Sequence, residues 1–105
     1  TQNLLAPTQP PHLVCQVIIL APSNLFDREG RDRIQRAFGL VLRRLRDERG
    51  LSQEDLAAAS GVGRSFIAKL ELGPNQPSLT TLFRLAGALG VPPEDVVSRV
   101  GQEAS

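Results

Sequence analysis

Residues 51–73, LSQEDLAAASGVGRSFIAKLELG, spell two short helices meeting at a glycine turn, and the remaining chain reads as their support. Ser52 stands where an N-cap hydroxyl reaches the amide of Asp55, and Asp55 carries negative charge into the first turn, where the helix dipole favours it. The spacing is that of a capping box, with Asp in place of the commoner Glu. Leu56 and Ala57 give this helix an apolar edge, and Gly61 is a residue able to take positive φ where the helix must stop. Val62 then turns inward, and a second helix starts at Gly63 or Arg64. Its buried side is Phe66, Ile67 and Leu70, at helical spacing, which leaves Arg64, Ser65, Ala68 and Lys69 on the other side. Those four are small or polar, as a helix lying in a groove requires.

Upstream, apolar periodicity predicts a helix from about Asp32 to Arg49. Ile34, Phe38, Val41 and Leu45 fall at steps of four, three and four, with Leu42 widening the stripe. Gly39 inside this helix costs up to ~1 kcal/mol against Ala, which fits close packing by a neighbouring helix. Gly50 ends the helix and Leu51 plugs the gap before Ser52. Downstream, Gly73 closes the second helix of the pair, and Pro74-Asn75-Gln76-Pro77 forms a rigid loop. Ser78 caps a helix over Leu79–Leu89 whose apolar face is Leu79, Leu82, Leu85, Ala86 and Leu89, with Phe83 in the core or at its rim. After Gly90-Val91, Pro93 opens a fifth helix, with Glu94 and Asp95 complementing its N-terminus. Val96, Val97 and Val100 form its inner face, and Gly101–Ser105 is expected to fray. The pattern is all-α.

Ahead of the helices, Thr1–Pro11 holds three prolines among polar residues and has no period, the composition of a disordered tail. The β-branched, apolar run in His12–Ala21 favours a strand over residues 13–20. A lone strand must find a partner: its counterpart in a second subunit, or the surface of the helical domain, unless the stretch is read-through from an upstream start codon. Pro22–Gly30 reads as a hinge, with Ser23 or Asn24 capping a short turn over Leu25–Glu29. The expected division is an N-terminal extension over 1–30, a helical domain over 31–100 and a frayed tail over 101–105.

The chain has 105 residues, one domain's worth, and its single cysteine, Cys15, rules out an intramolecular disulfide. No Cys/His grouping suggests zinc, and His12, the only histidine, reads as a linker residue. The apolar run Val17–Ala21 is too short to span a bilayer, and no basic region precedes it, so neither a membrane nor a signal peptide is expected. The glycines of Gly61-Val62-Gly63-Arg64-Ser65 form too short a stretch, in the wrong place, for a phosphate-binding loop. No carboxylate pair or nucleophile–base combination stands at a useful spacing, so an enzyme is the weakest reading and no cofactor is expected. A net charge of +1 hides an uneven distribution: residues 31–50 hold seven arginines against three acids, 7 − 3 = +4. Such a run is either a solvated helix face or the electrostatic footprint of a nucleic-acid partner.

Ser52-Gln53-Glu54-Asp55-Leu56-Ala57, Gly61-Val62, Ile67, Leu70-Glu71, Gly73, Pro77-Ser78 and Leu85-Ala86-x-x-Leu89-Gly90-Val91 stand in a joint order and spacing. In it the chain resembles the phage repressor and Cro-type (XRE-type) helix-turn-helix family over roughly Gln35 to Val97. It departs from that pattern at Gly63, where the family usually has a capping Ser or Thr. The resemblance implies a compact five-helix repressor-like DNA-binding domain, here with an N-terminal extension. It implies a phosphate contact from Gln53. It also pairs Arg46 with Glu71, which already lie on inward faces among Leu42, Leu45 and Leu70.

A helix fits the major groove of B-DNA, and polar side chains near its N-terminus reach base edges. Arg64 is the candidate for a bidentate contact to guanine, Ser65 is a versatile donor or acceptor, Ala68 is a further candidate for a base contact, and Lys69 reaches a base or a phosphate. Arg43, Arg44, Arg49, Asn75 and Gln76 are candidates for flanking backbone contacts. One recognition helix reads about four or five base pairs, so proteins of this kind gain specificity as homodimers on imperfect palindromes. The expected function is sequence-specific binding of double-stranded DNA by a cytoplasmic, nucleoid-associated transcriptional regulator, with repression the expected outcome. The alternative is a protein-interaction module, antitoxin-like or a coactivator partner, whose signature would be an apolar or acidic recognition face.

Overall fold

A computed structural model describes residues 27–105, which form five helices and, among the described residues, no strand. They are α1 (Arg28–Glu48), α2 (Gln53–Ser60), α3 (Arg64–Leu72), α4 (Leu79–Leu89) and α5 (Pro93–Ala104). The expected strand over 13–20, the tail before it and most of the hinge lie outside the described residues.

Both ends of the helical domain extend past the expected limits. Asp27 is the N-cap of α1, its carboxylate accepting from the amide of Gly30 at 2.9 Å, so the helix begins four residues before Asp32. Gly30 is a buried helical residue and not part of a hinge. At the other end α5 runs on to Ala104, which is buried, where fraying from Gly101 was expected. A methyl group packed beneath α1 outweighs the weak helix propensity of Gly101.

The core is one cluster in which Phe38, Leu42 and Leu45 of α1 meet Leu56, Ile67, Leu70, Leu85, Leu89 and Val96. Long α1 packs along α5 on one flank and against α3 on the other, while α2 bridges α3 and α4. Gly39 permits the α1–α3 approach. A methyl group there would collide with the carbonyl oxygen of Leu70 and lie 3.0 Å from that of Glu71. Not every residue of the expected apolar faces is inside, for Leu79 is 70% exposed, Phe83 56% and Val97 55%. Each lies at the margin of its helix's apolar stripe, on the side that no other described helix covers.

Candidate nucleic-acid interface

The helix pair is assembled by local chemistry. Ser52 accepts from the amide of Asp55 at 3.0 Å and donates its own amide to the Asp55 carboxylate at 3.1 Å, closing the capping box. Gly61 ends α2 at φ 74°, a left-handed conformation that a residue with a Cβ rarely takes. Buried Val62 anchors the turn, and Gly63, at φ −61° and ψ 141°, is the N-cap of α3 with no side chain to accept from its first amides.

What holds α3 in place is a polar chain running through the base of the motif. Arg46 grips Glu71 with both ends of its guanidinium, Nε donating to Oε2 at 2.7 Å and Nη2 to Oε1 at 2.9 Å, while Nη1 donates to the Leu51 carbonyl at 2.8 Å. The two side chains are 13% and 6% exposed. Hydrogen bonding to Glu71 raises the Arg46 pKa above its ordinary value, against the desolvation that lowers it. Gln53 continues the chain: its Nε2 donates to Glu71 Oε1 at 3.0 Å and its Oε1 accepts from Arg64 Nη1 at 3.3 Å. Thus α1, the start of α2 and the start of α3 share one connected set of hydrogen bonds.

Above this base, Arg64, Ser65 and Lys69 are exposed and Ala68 is half-buried between them. At about 100° per residue the four span an arc of about 140°. Arg64 leans back over α2, 4.0 Å from the exposed carboxylate of Glu54. No acid stands in the first turn of α3, and Lys69 lies in its last turn. The face therefore combines a guanidinium, a hydroxyl and an ammonium around one small apolar residue. It can donate to bases and pair with phosphates, and it presents neither an apolar nor an acidic surface.

The flanking candidates separate. Arg43 is exposed, with Asp47 4.0 Å away, on the flank of α1 near α3. Asn75 is half-buried in the loop after α3, and Gln76 accepts from Gln35 Nε2 at 3.3 Å. Arg44 is elsewhere: it lies about 200° around the helix from Arg46 and pairs with Glu103 of α5 at 2.7 Å. Arg49 lies at the C-terminus of α4, its Nη2 3.5 Å from the Gly90 carbonyl. These two stand with the α4 and α5 ends of the molecule and not beside α3. Glu54 and Gln35, the neighbours of Arg64 and Gln76, carry no signal in the sequence beyond exposed polarity.

Residues 42–96, from the second half of α1 to the start of α5, match the helix-turn-helix family HTH_3. The chain belongs to the helix-turn-helix family. It is 38% identical over 65 residues to an HTH-type transcriptional regulator of Sinorhizobium fredii, y4dJ, a match spanning 62% of this chain and 84% of that protein. It is 40% identical over 65 residues to the immunity repressor protein of Bacillus phage phi105, a match spanning 62% of this chain but only 43% of the repressor. Among solved structures it is similar to the restriction-modification controller protein C.AhdI from Aeromonas hydrophila, with 42% identity and a TM-score of 0.57 over 59% of this chain and 94% of that one. The resemblance to phage repressors read from residues 52–91 is thereby borne out, as is the all-α, five-helix fold. DNA-binding transcription regulation is the function this family membership supports. No helix among the described residues is long and apolar enough to cross a membrane.

Proposed function

We propose that the chain reads double-stranded DNA through the major groove with α3 and represses transcription as a homodimer on an imperfect palindrome. The observation that carries the reading is how α3 is held. Buried Ile67 and Leu70 seat it on the core and the Arg46–Glu71 pair ties its end to α1, while Arg64, Ser65 and Lys69 around Ala68 are offered to a groove. A rigid base under an exposed polar helix is what sequence readout needs, because side chains must reach base edges in one register.

Arg64 and Lys69 are assigned to base edges, with Ser65 between them. Gln53, Arg43, Asn75 and Gln76 are assigned to flanking phosphates. Arg44 and Arg49, engaged at Glu103 and at the end of α4, are left out of this set. Gln53 has a second task in the assignment, since its amide already orients Arg64. Dimerisation is supported by Leu79 and Phe83, large apolar residues exposed one turn apart on α4 that line a shallow depression with Thr80. Repression is supported by the relatives' names, and a regulator of this kind works at the nucleoid in the cytoplasm.

Selection of bound duplexes from random DNA tests the reading. Enriched inverted half-sites about one helical turn apart are expected. An absence of any duplex preference, together with no salt-dependent affinity at low ionic strength, would overturn it in favour of a protein-interaction module.

A further inference from the structure

A lone large apolar side chain stands at the far end of the polar face of α3. Leu72, the last residue of the helix, is 80% exposed, more than any other large apolar residue among the described residues. Helical geometry gives its direction. At about 100° per residue, counted from Arg64, Ala68 lies at about 40°, Leu72 at about 80°, Ser65 at about 100° and Lys69 at about 140°. Buried Ile67 and Leu70 lie about 140° and about 160° around the helix from Leu72. Leu72 therefore points away from the core, out of the middle of the arc that Arg64 and Lys69 bound, with Ala68 one turn before it.

We propose that Leu72 is a specificity-determining residue that reads a thymine by packing on its C5 methyl group, at the end of the half-site away from Arg64. The proposal rests on α3 lying in the major groove. An aliphatic side chain can neither pair with a phosphate nor hydrogen-bond to a base edge, and the thymine methyl is the apolar group that base pairs present in that groove. Eight residues separate Arg64 from Leu72, about 12 Å along the axis at ~1.5 Å per residue, which is about three to four base-pair steps at ~3.4 Å each. The two side chains thus stand at opposite ends of the four or five base pairs, roughly, that one helix reads.

The neighbours of Leu72 select DNA over protein as its contact. Lys69 lies about 60° from it around the helix and Arg64 about 80°, and both are exposed cations. A two-fold contact between copies centred on Leu72 would bring the cations of both chains together, whereas a polyanion attracts them. Nor does the fold account for a leucine here. Gly73, at φ 109°, ends α3, and Leu72 lies outside the core cluster.

Replacing thymine by uracil removes only the methyl group and leaves every hydrogen-bonding edge intact, so it isolates the contact. The 105-residue chain and its Leu72→Ala variant are titrated with the duplex enriched from random DNA, and with versions carrying uracil at one thymine at a time. Wild type is expected to lose about fourfold in affinity at one thymine of a half-site, the worth of one buried methyl group. Leu72→Ala is expected to bind the thymine and uracil forms of that position alike, with helical circular dichroism unchanged. Equal factors for the two proteins at every thymine, or an enriched half-site without thymine, would overturn the proposal while sequence-specific binding stands. A change in self-association of Leu72→Ala with the wild-type uracil response retained would overturn it too, placing the leucine at a protein contact. No duplex preference in wild type would overturn the reading of α3 and this proposal with it.

Discussion

Arg44 and Arg46 stand two residues apart on α1, each paired at 2.7 Å with a glutamate distant in sequence, and they do different work. Arg46 faces α3; its partner Glu71 is nearly buried, and the bond is two-pronged. Arg44 faces α5; it is 56% exposed, and its single bond to Glu103 sits in solvent. Burial makes the difference. A desolvated charge cannot lose its partner without remaining stranded, whereas a solvated one is rehydrated at little cost. The flank carrying α3 is thus fixed by an interaction that is all-or-none, and the flank carrying α5 by one that can open.

Removing one buried partner gives the largest expected effect. Glu71→Ala should destabilise the domain by ~3–5 kcal/mol, because Arg46 and the amide of Gln53 lose their acceptor together. Urea unfolding measures it, and a melting temperature within a degree or two of wild type would show that the pair does not hold the two helices. On the same flank, Gly39→Ala should cost ~1–3 kcal/mol through overpacking, since the new methyl group meets backbone that cannot rotate away. A neutral result would mean that α1 and α3 slide apart freely, and would remove rigidity from the argument for sequence readout.

The exposed side of α3 tests the other half of the contrast. Arg64→Ala and Lys69→Ala should each cost ~1–3 kcal/mol on the preferred duplex and relax preference at particular base pairs, with folding unchanged. By contrast, Arg43→Ala should weaken binding to all duplexes alike and lower the salt slope by about one. Arg44→Ala should do neither, and should cost at most ~1 kcal/mol of stability, since its pair is exposed. A loss of non-specific affinity in Arg44→Ala comparable to that in Arg43→Ala would put the α5 flank of α1 on the DNA and redraw the interface.

What could be read in advance divides along the same line. Local features were legible: the Ser52–Asp55 box, the stop at Gly61, the stripe from Ile34 to Leu45 and the cap at Ser78 depend only on nearby residues. The close approach at Gly39 was legible too, because a glycine inside a helix calls for a packing reason. The start of α1 was not, since Gly30 and the polar residues around it imitate a hinge until Asp27 is seen to cap them. The run of arginines could be sorted only in part. Arg46 stood out on an inward face, with Glu71 as the partner the family resemblance implied, and Arg43 has Asp47 one helical turn on, but Arg44 meets Glu103 across 59 residues, a distance that periodicity does not encode. The margin residues Leu79 and Val97 belong to apolar stripes wider than the contacts available to them, so pattern alone buried them.

The smallest expected effect probes the softest point of the clamped flank, the start of α3. Gly63 occupies the N-cap in an extended conformation with negative φ, and a Cβ built on it meets nothing within 4 Å. Serine can therefore take the same backbone without strain, and its hydroxyl reaches the amides at the helix start that no side chain now caps. Gly63→Ser should stabilise the domain by a few tenths of a kcal/mol, the usual difference between Gly and Ser at this position, with a smaller unfolded-state entropy acting in the same direction. Differential scanning calorimetry on the two proteins resolves a change of this size as a shift of a degree or two. The gain carries a functional counterpart under the proposed docking: with α3 in the major groove, a hydroxyl that satisfies these amides competes with a phosphate or base approaching the start of the helix. Higher stability with unchanged DNA affinity would show that the start of α3 makes no backbone contact to DNA. Higher stability with weaker affinity would show that its uncapped amides are themselves part of the interface.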